Sequence, residues 1–258
     1  MLRLPGVFGA RCGSGCGLRA RSPLALRCRP MPAPVLLVHG WGSSFERTWV
    51  ATGVSALLED AGRTVIGVDL LGHGTAPKPH DPAAYRDLTA RLVEALPAEG
   101  PVDAVGFSLG ARTVLELACQ VPDRVSRLVL AGIGANVFER DAEGIGRIIA
   151  GVRGLAPETD VQAHAFRHYA EQAGNDPDAL VAVLERPRDP LTAEDLAAVR
   201  GPVLVVLGDR DFAGPADPLV DALPDARLVT LRNTDHFATP ESFAFIDAML
   251  GFLDAVPA

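Results

Sequence analysis

Ser108 has the residue type and the neighbours of a catalytic nucleophile. It is the central residue of the pentapeptide Gly-Phe-Ser-Leu-Gly at 106–110, a G-x-S-x-G motif. The mostly apolar residues 102–105 before it favour a strand, and residues 111–118 after it favour a helix. A serine at a sharp strand-to-helix turn exposes its hydroxyl, and backbone N–H groups at the helix start point toward the group that it attacks. The competing interpretation is an ordinary tight turn, because the motif also arises by chance in glycine-rich chains.

A serine hydroxyl needs a base, and His236 is the best-placed histidine downstream. It follows the strand-like segment 227–231, while a second strand-like segment, 203–207, ends just before Asp209 and Asp211. In such a site a histidine takes the serine proton, and a carboxylate holds that histidine in the correct tautomer. The order serine, aspartate, histidine, each just past a strand, predicts a nucleophilic site at the carboxyl edge of a parallel sheet.

Strand and helix signals alternate from residue 35 onward. Apolar, β-branched runs predict strands near 35–39, 64–68, 102–107, 126–131, 203–208 and 227–231. Helical patterns lie near 46–61, 83–96, 109–120, 216–222 and 240–254, the last with Thr239 as its expected N-cap and Pro240 at its first position. The alternation predicts an α/β protein with a parallel sheet covered on both faces. Residues 136–195 break it with helices alone, the last of which starts at a capping sequence beginning with Thr192.

From about residue 34 the chain resembles the α/β-hydrolase-fold serine hydrolases, which are carboxylesterase-like enzymes. The resemblance is carried by the strand and His-Gly loop of 35–42, the turn Asp-Leu-Leu-Gly-His-Gly of 69–74 and the serine pentapeptide. It implies a mostly parallel central sheet with helices on both faces and a small helical cap. The cap would be residues 136–195, inserted in a core made of 31–135 and 196–258.

The resemblance also implies roles for individual residues. Ser108, Asp211 and His236 would be catalytic, since the family's acid usually stands three residues after a strand-ending glycine, and Asp209 is the alternative acid. The backbone N–H groups of Trp41 and Leu109 would form the oxyanion hole.

Aromatic residues are candidates for the walls of a substrate pocket. The Trp41 ring and Phe107 lie next to the predicted oxyanion loop and nucleophile, and the helical segment contributes Phe138, Phe166 and Tyr169. Phe107 is equally well explained as an ordinary core aromatic, and the last three as the cap's own small core.

The activity that the resemblance implies is hydrolysis of a carboxylic ester of a small to medium apolar compound through an acyl-enzyme, without a cofactor. The same residues also serve C–C bond, thioester and lactone hydrolysis and perhydrolysis, which remain open. A ligand-binding protein with this fold and little turnover is the alternative of another class. His164 and His168 share a helix face, but no acidic pair or cysteine accompanies them, so we predict no metal site.

Charge and composition narrow the range of partners. The formal net charge of −8 argues against nucleic acid or an anionic membrane as the main partner and leaves a small-molecule substrate. No apolar run approaches the ~20 residues that a membrane helix needs. The four cysteines do not form a disulfide framework, and reduced thiols predict a cytoplasmic protein of undetermined oligomeric state.

Residues 1–30 differ from the rest of the chain. They contain six arginines and no acidic residue, and they lack hydrophobic periodicity. A transit peptide, an export signal and translated upstream sequence before a true start at Met31 are the three interpretations, of which the last is preferred. We expect this leader to be poorly structured.

Overall fold

The computed structural model describes residues 32–257, and that part of the chain belongs to one compact unit. The expectations for the leader, residues 1–30, lie outside the described residues, as do those for Met31. No helix within 32–257 is long and apolar enough to cross a membrane.

Within residues 32–257, six strands form one sheet in which every neighbouring pair is parallel, as the alternating pattern predicts. The strands are β1 Val35–Val38, β2 Val65–Val68, β3 Val102–Phe107, β4 Val125–Ala131, β5 Val203–Gly208 and β6 Ala226–Leu231. Their order is β2-β1-β3-β4-β5-β6, which places β3 beside the centre of the sheet. All carboxyl ends of the strands therefore lie at one edge, and the loops that follow them share that edge.

Nine α-helices connect and cover the strands of the described chain. They are α1 Val54–Asp60, α2 Ala90–Ala95, α3 Leu109–Gln120, α4 Ala142–Val152, α5 Val161–Ala170, α6 Pro177–Glu185, α7 Ala193–Leu196, α8 Asp217–Ala222 and α9 Phe243–Phe252. Helices α4 to α7 all fall between β4 and β5, in the segment predicted to be helical. The capping box of α7 is present, because Thr192 and Asp195 bond each other's backbone N–H groups.

Three predicted helices differ from those in the structure: two are divided, and one begins later than predicted. The segment 46–61 is a π-helical turn, Glu46–Val50, followed by α1, and Gly53 with φ of 80° separates the two. The segment 83–96 likewise divides into a 3₁₀ turn and α2. Thr239 does not cap the last helix: it starts a 3₁₀ turn, and α9 begins after Ser242. Hydrophobic periodicity continues through such turns, and for this reason it overestimates the length of a helix.

Apolar clusters lie on both faces of the sheet. Alternate residues of β1 point to opposite faces, so Leu36 and Val38 join one cluster and Val35 and Leu37 join the other. Helix α3 packs on the first face, and α1 and α9 pack on the second. The sheet is thus a rigid platform whose carboxyl edge carries the loops of the candidate site.

Candidate active site

Ser108 lies in the tight turn between β3 and α3. Its φ of 52° and ψ of −113° are strained for a residue with a side chain, and its N–H donates to the Ala131 carbonyl at 2.8 Å. The turn needs the glycines on either side of the serine. A Cβ on Gly106 would lie 2.5 Å from the Ala111 backbone, and one on Gly110 would lie 2.3 Å from the Val38 carbonyl oxygen. Strand and helix therefore meet closely only because both positions lack a side chain.

His236 and Asp211 complete a chain of hydrogen bonds that begins at Ser108. The Ser108 hydroxyl is 2.9 Å from His236 Nε2, and His236 Nδ1 is 2.9 and 3.0 Å from the two carboxylate oxygens of Asp211. Since a carboxylate only accepts, Nδ1–H donates to Asp211 and Nε2 is left to accept the serine O–H. Both side chains are buried, that of Asp211 completely. The residues 108, 211 and 236, widely separated in the chain, are brought together as the sequence order predicts.

The two candidate acids occupy different positions. Asp211 is held by the turn after β5, where its N–H donates to the Gly208 carbonyl and its carboxylate also accepts from the Ala213 N–H. Asp209 points to the neighbouring loop and accepts from the Thr234 N–H at 3.2 Å. The contact with the histidine is therefore made by Asp211, and Asp209 supports the loop that carries His236.

The N–H groups of Trp41 and Leu109 lie at the two places where an oxyanion hole is expected. Leu109 is the first residue of α3, and Trp41 follows Gly40 in the loop after β1. Neither N–H donates to another atom of residues 32–257. The Trp41 indole is fixed by a 3.0 Å hydrogen bond to the Leu180 carbonyl and by edge-to-face packing on Phe166.

His39 and His73 hold the loops behind this edge of the sheet. His39 is fully buried and connects the Gly40 carbonyl at 2.7 Å to the Leu70 N–H at 3.1 Å, which ties the loop after β1 to that after β2. His73 donates to the Leu71 carbonyl. Burial, followed by the neighbouring His39, lowers the pKa of His73 to about 3, and burial also lowers the pKa of His39. Both rings are therefore neutral and structural at ordinary pH.

Aromatic rings surround His236. Phe212 lies 4.3 Å, Phe107 5.0 Å and Phe237 5.6 Å from the imidazole, measured between ring centroids. Phe212 remains 48% exposed, which places it between the histidine and solvent. Sequence reasoning missed Phe212 and Phe237, although each directly follows a residue that it had chosen, Asp211 and His236.

A cavity of about 160 Å³ opens beside Ser108. Its lining residues come from the loops at the sheet edge and from the helical segment: Trp41, Ser108, Leu109, Arg112, Ile133, Asn136, Val137, Ile145, Ile148, Phe166, Leu184, Arg186, Arg188 and Phe212. Two of the candidate pocket residues, Trp41 and Phe166, line this cavity.

Three of the predicted pocket residues do not line this cavity. Phe138 packs against the core cluster that covers α3, because the turn after β4 directs it toward the sheet. Phe107 and Tyr169 line a second, smaller cavity of about 150 Å³ on the other side of Trp41. Phe107 is a β3 residue and also belongs to the core cluster on the face of the sheet opposite α3.

Comparison with known proteins decides the family. The family model described as "alpha/beta hydrolase fold" matches residues 33–189, more than half of the chain. The chain belongs to this family. The parallel sheet and the strand-to-helix turn at Ser108 are thus those of an α/β-hydrolase, and the prediction of a hydrolase enzyme is confirmed.

Named relatives indicate which kinds of α/β-hydrolase this chain is similar to. A pimeloyl-[acyl-carrier protein] methyl ester esterase from Neisseria meningitidis is 31% identical over 85% of this chain and 78% of its own length. The mouse sn-1-specific diacylglycerol lipase ABHD11 is 35% identical over 55% of this chain and 45% of its own length. The solved structure of a thermophilic esterase from Thermogutta terrifontis has a TM-score of 0.66 at 24% identity, over 88% and 92% of the two chains, and shows the shared fold. An esterase and a lipase among the relatives favour ester hydrolysis over the C–C, thioester, lactone and perhydrolysis alternatives.

Proposed function

We propose that this α/β-hydrolase cleaves a carboxylic ester of a small to medium acyl compound through an acyl-enzyme on Ser108. The observation that carries the proposal is the continuous hydrogen-bond chain from Asp211 through His236 to Ser108, which ends at the mouth of a largely apolar cavity. An ionised acid, a neutral histidine and a hydroxyl in this order form a nucleophile activated by a base.

In the acylation step the Ser108 oxygen attacks the ester carbonyl while its proton moves to His236 Nε2. The N–H groups of Trp41 and Leu109 donate hydrogen bonds to the carbonyl oxygen as negative charge develops on it. A donor of this kind contributes about 3 kcal/mol to stabilisation of the transition state. When the tetrahedral intermediate collapses, the C–O bond to the alcohol breaks and His236 gives its proton to the leaving oxygen.

Deacylation repeats these roles with water as the nucleophile. His236 takes a proton from water, the hydroxide adds to the acyl carbon, and Ser108 leaves with the proton returned by the histidine. Asp211 keeps Nδ1 protonated in both steps and stabilises the imidazolium that forms transiently. Every proton transfer is carried by these side chains, and the sequence predicts no metal or organic cofactor.

The substrate is the molecule's main partner, and the helical segment selects it. We propose residues 136–195 as a cap over the core formed by 31–135 and 196–258, because Ile145, Ile148 and Phe166 of α4 and α5 line the cavity beside Ser108. The methyl ester in the name of the Neisseria relative favours a small alcohol as the leaving group.

We also propose that the enzyme acts in the cytoplasm, an interpretation that rests on its cysteine usage. Cys119 is a free thiol on α3, and its burial raises its pKa to about 11, which keeps it protonated and unreactive. Cell fractionation of the source organism with a specific antibody tests this, and recovery from the membrane or secreted fraction would contradict it.

Hydrolysis of methyl and p-nitrophenyl esters of short and medium acids tests the proposed activity. The wild-type protein should cleave at least part of this panel, and folded Ser108→Ala should be reduced to the background rate. A Ser242→Ala variant changes a serine outside the proposed triad and should retain the activity. Equal rates for wild type and Ser108→Ala would exclude the proposed nucleophile, and cleavage of thioesters or lactones alone would exclude ester hydrolysis as the main activity.

A further inference from the structure

The cavity beside Ser108 contains three cationic side chains in an otherwise mostly apolar wall. Arg112 comes from α3, and Arg186 and Arg188 come from the segment that follows α6. Among the described residues that line the cavity, none is an aspartate or a glutamate. Binding of an uncharged ester would not require three arginines in the cavity wall.

The guanidinium of Arg112 already donates hydrogen bonds to other residues of the protein. Its guanidinium donates to Glu116 at 2.8 Å and to the carbonyl oxygens of Val137 and Asp189 at 3.1 and 2.8 Å. It is therefore fixed in place and connects α3 to both ends of the helical segment. Glu116 compensates its charge, so the remaining two guanidiniums carry the positive charge of the cluster.

Arg186 and Arg188 are not compensated in this way. The Arg186 side chain is buried and donates to the Val183 carbonyl at 2.7 Å, whereas Arg188 Nη1 is buried without a hydrogen-bond partner among residues 32–257. Burial, followed by the charges of the neighbouring arginines, lowers the pKa of each to about 10, so both remain charged at neutral pH. Buried cations that lack an anion are unfavourable. A bound anion would reduce the repulsion between the arginines and would accept a hydrogen bond from Arg188 Nη1.

We propose that Arg186 and Arg188 bind a carboxylate of the acyl substrate, so that the enzyme acts on monoesters of short dicarboxylic acids. This inference rests on the proposed ester hydrolysis at Ser108. The guanidinium is planar and its paired N–H groups match the two oxygens of a carboxylate. The apolar residues Ile145, Ile148 and Leu184 would contact the methylene chain between the ester and the carboxylate.

The size of the cavity limits the length of that chain. A protein cavity of roughly 150 Å³ holds one benzene molecule, which has about six heavy atoms. The cavity beside Ser108, of about 160 Å³, is similar in size. It therefore suits a short acid chain, and this favours a simple carboxylate over a bulky phosphate-bearing carrier as the source of the negative charge.

Two esters of the same shape test the proposal. Monomethyl glutarate carries a terminal carboxylate, and in methyl 5-methylhexanoate an isopropyl group takes the place of that carboxylate. The wild-type enzyme should have a kcat/KM for the anionic ester at least about tenfold higher than for the neutral one, since a hydrogen bond to a charged group contributes this much or more. The ratio of the two values is the readout, because it is insensitive to partial loss of folded protein.

Substitution of the arginines should remove this preference. Arg188→Met and Arg186→Met should each lower the ratio by about ten- to hundredfold, and Arg188→Lys should restore part of it. Arg153→Met removes an exposed arginine that does not line the cavity and should leave the ratio unchanged.

The contrary results are distinct from failure of the proposed function. Equal cleavage of both esters by the wild type, or a preference that survives in both methionine variants, would overturn the carboxylate site and leave ester hydrolysis intact. A preference for methyl 4-phosphonobutanoate over monomethyl glutarate would overturn carboxylate as the ligand. If neither ester is cleaved and Ser108 does not react with a fluorophosphonate, the proposed function is itself wrong.

Discussion

At the scale of single residues, the site depends on which aspartate contacts His236. Asp211 reaches His236 Nδ1 with both oxygens, whereas Asp209 bonds a backbone N–H of the adjacent loop. The two residues stand two positions apart after the same strand, and the turn that follows Gly208 points their side chains in different directions. Their substitutions therefore provide a matched pair.

Asp211→Asn should remain folded and lose about 10⁴-fold in kcat, because an amide favours the wrong histidine tautomer. Asp209→Asn should keep most of the activity, since the amide oxygen still accepts from the Thr234 N–H. Steady-state kinetics on variants with unchanged circular dichroism measures both. If Asp209→Asn were the inactive variant, the hydrogen-bond chain would not be the catalytic one.

The three hydrogen-bonded residues Ser108, Asp211 and His236 could be predicted from the sequence, because the serine motif and the order of the strands leave few other candidates. Ser108 is marked by its glycines, and His236 by its position after a strand. Arg186 and Arg188 could not be found in this way, since a side chain enters the cavity only through the packing of α4 to α6 over the sheet. The position of Phe138 could not be found from the sequence for the same reason, because its aromatic type does not reveal that it packs against the core cluster.

At the scale of elements, the close contact between β3 and α3 positions Ser108, the proposed nucleophile. The approach of α3 to the end of β1 leaves no room for a side chain at Gly110, where a Cβ would lie 2.3 Å from the Val38 carbonyl oxygen and 2.4 Å from that of His39. Backbone atoms of β1 cannot move away without disturbing its pairing with both β2 and β3. The helix would have to shift instead, and Ser108 is one residue before its start.

Gly110→Ala should therefore lower the free energy of unfolding by about 1–3 kcal/mol, the usual effect of overpacking, and should reduce kcat at least about tenfold. Gly251→Ala is the matched control: it lies in α9 with no atom within 4 Å of the added Cβ and should stabilise by about 0.5–1 kcal/mol. Urea unfolding and kinetics of both variants provide the test. Full activity of Gly110→Ala would show that the turn carrying Ser108 tolerates movement of α3.

Strand boundaries were predicted well from runs of apolar and β-branched residues. All six strands lie within one residue of their predicted ends, including the edge strands β2 and β6, whose residues are mostly only partly buried or exposed. Helix boundaries were less accurate at residues 46–61 and 240–254. The φ of 80° at Gly53 and the 3₁₀ turn at Thr239 depend on tertiary contacts that local pattern does not encode.

At the scale of the whole molecule, buried neutral histidines make stability depend on pH. His73 has a pKa of about 3 in the folded protein because of its burial, against about 6.5 in an unfolded chain. Between these values the unfolded state binds a proton that the folded state does not. The free energy of unfolding therefore falls as the pH decreases from about 6.5 toward 3, and it is fully retained above about 6.5.

The contribution of His73 between pH 8 and pH 5 should be about 2 kcal/mol. His73→Asn keeps a neutral donor for the Leu71 carbonyl and should reduce this pH-dependent loss by that amount, while His168→Asn, at an exposed position, should not change it. Urea unfolding at the two pH values measures the difference. An unchanged pH dependence in His73→Asn would contradict the assignment of a buried neutral ring.

The central claim is that Ser108 is the nucleophile activated by His236 and Asp211. Its most direct test is intact-protein mass spectrometry after treatment with a fluorophosphonate, followed by mapping of the labelled peptide. One adduct should form on Ser108, no adduct should form in Ser108→Ala, and labelling should be much slower in Asp211→Asn. An adduct on another serine, or wild-type protein that hydrolyses esters while Ser108 stays unmodified, would contradict the account.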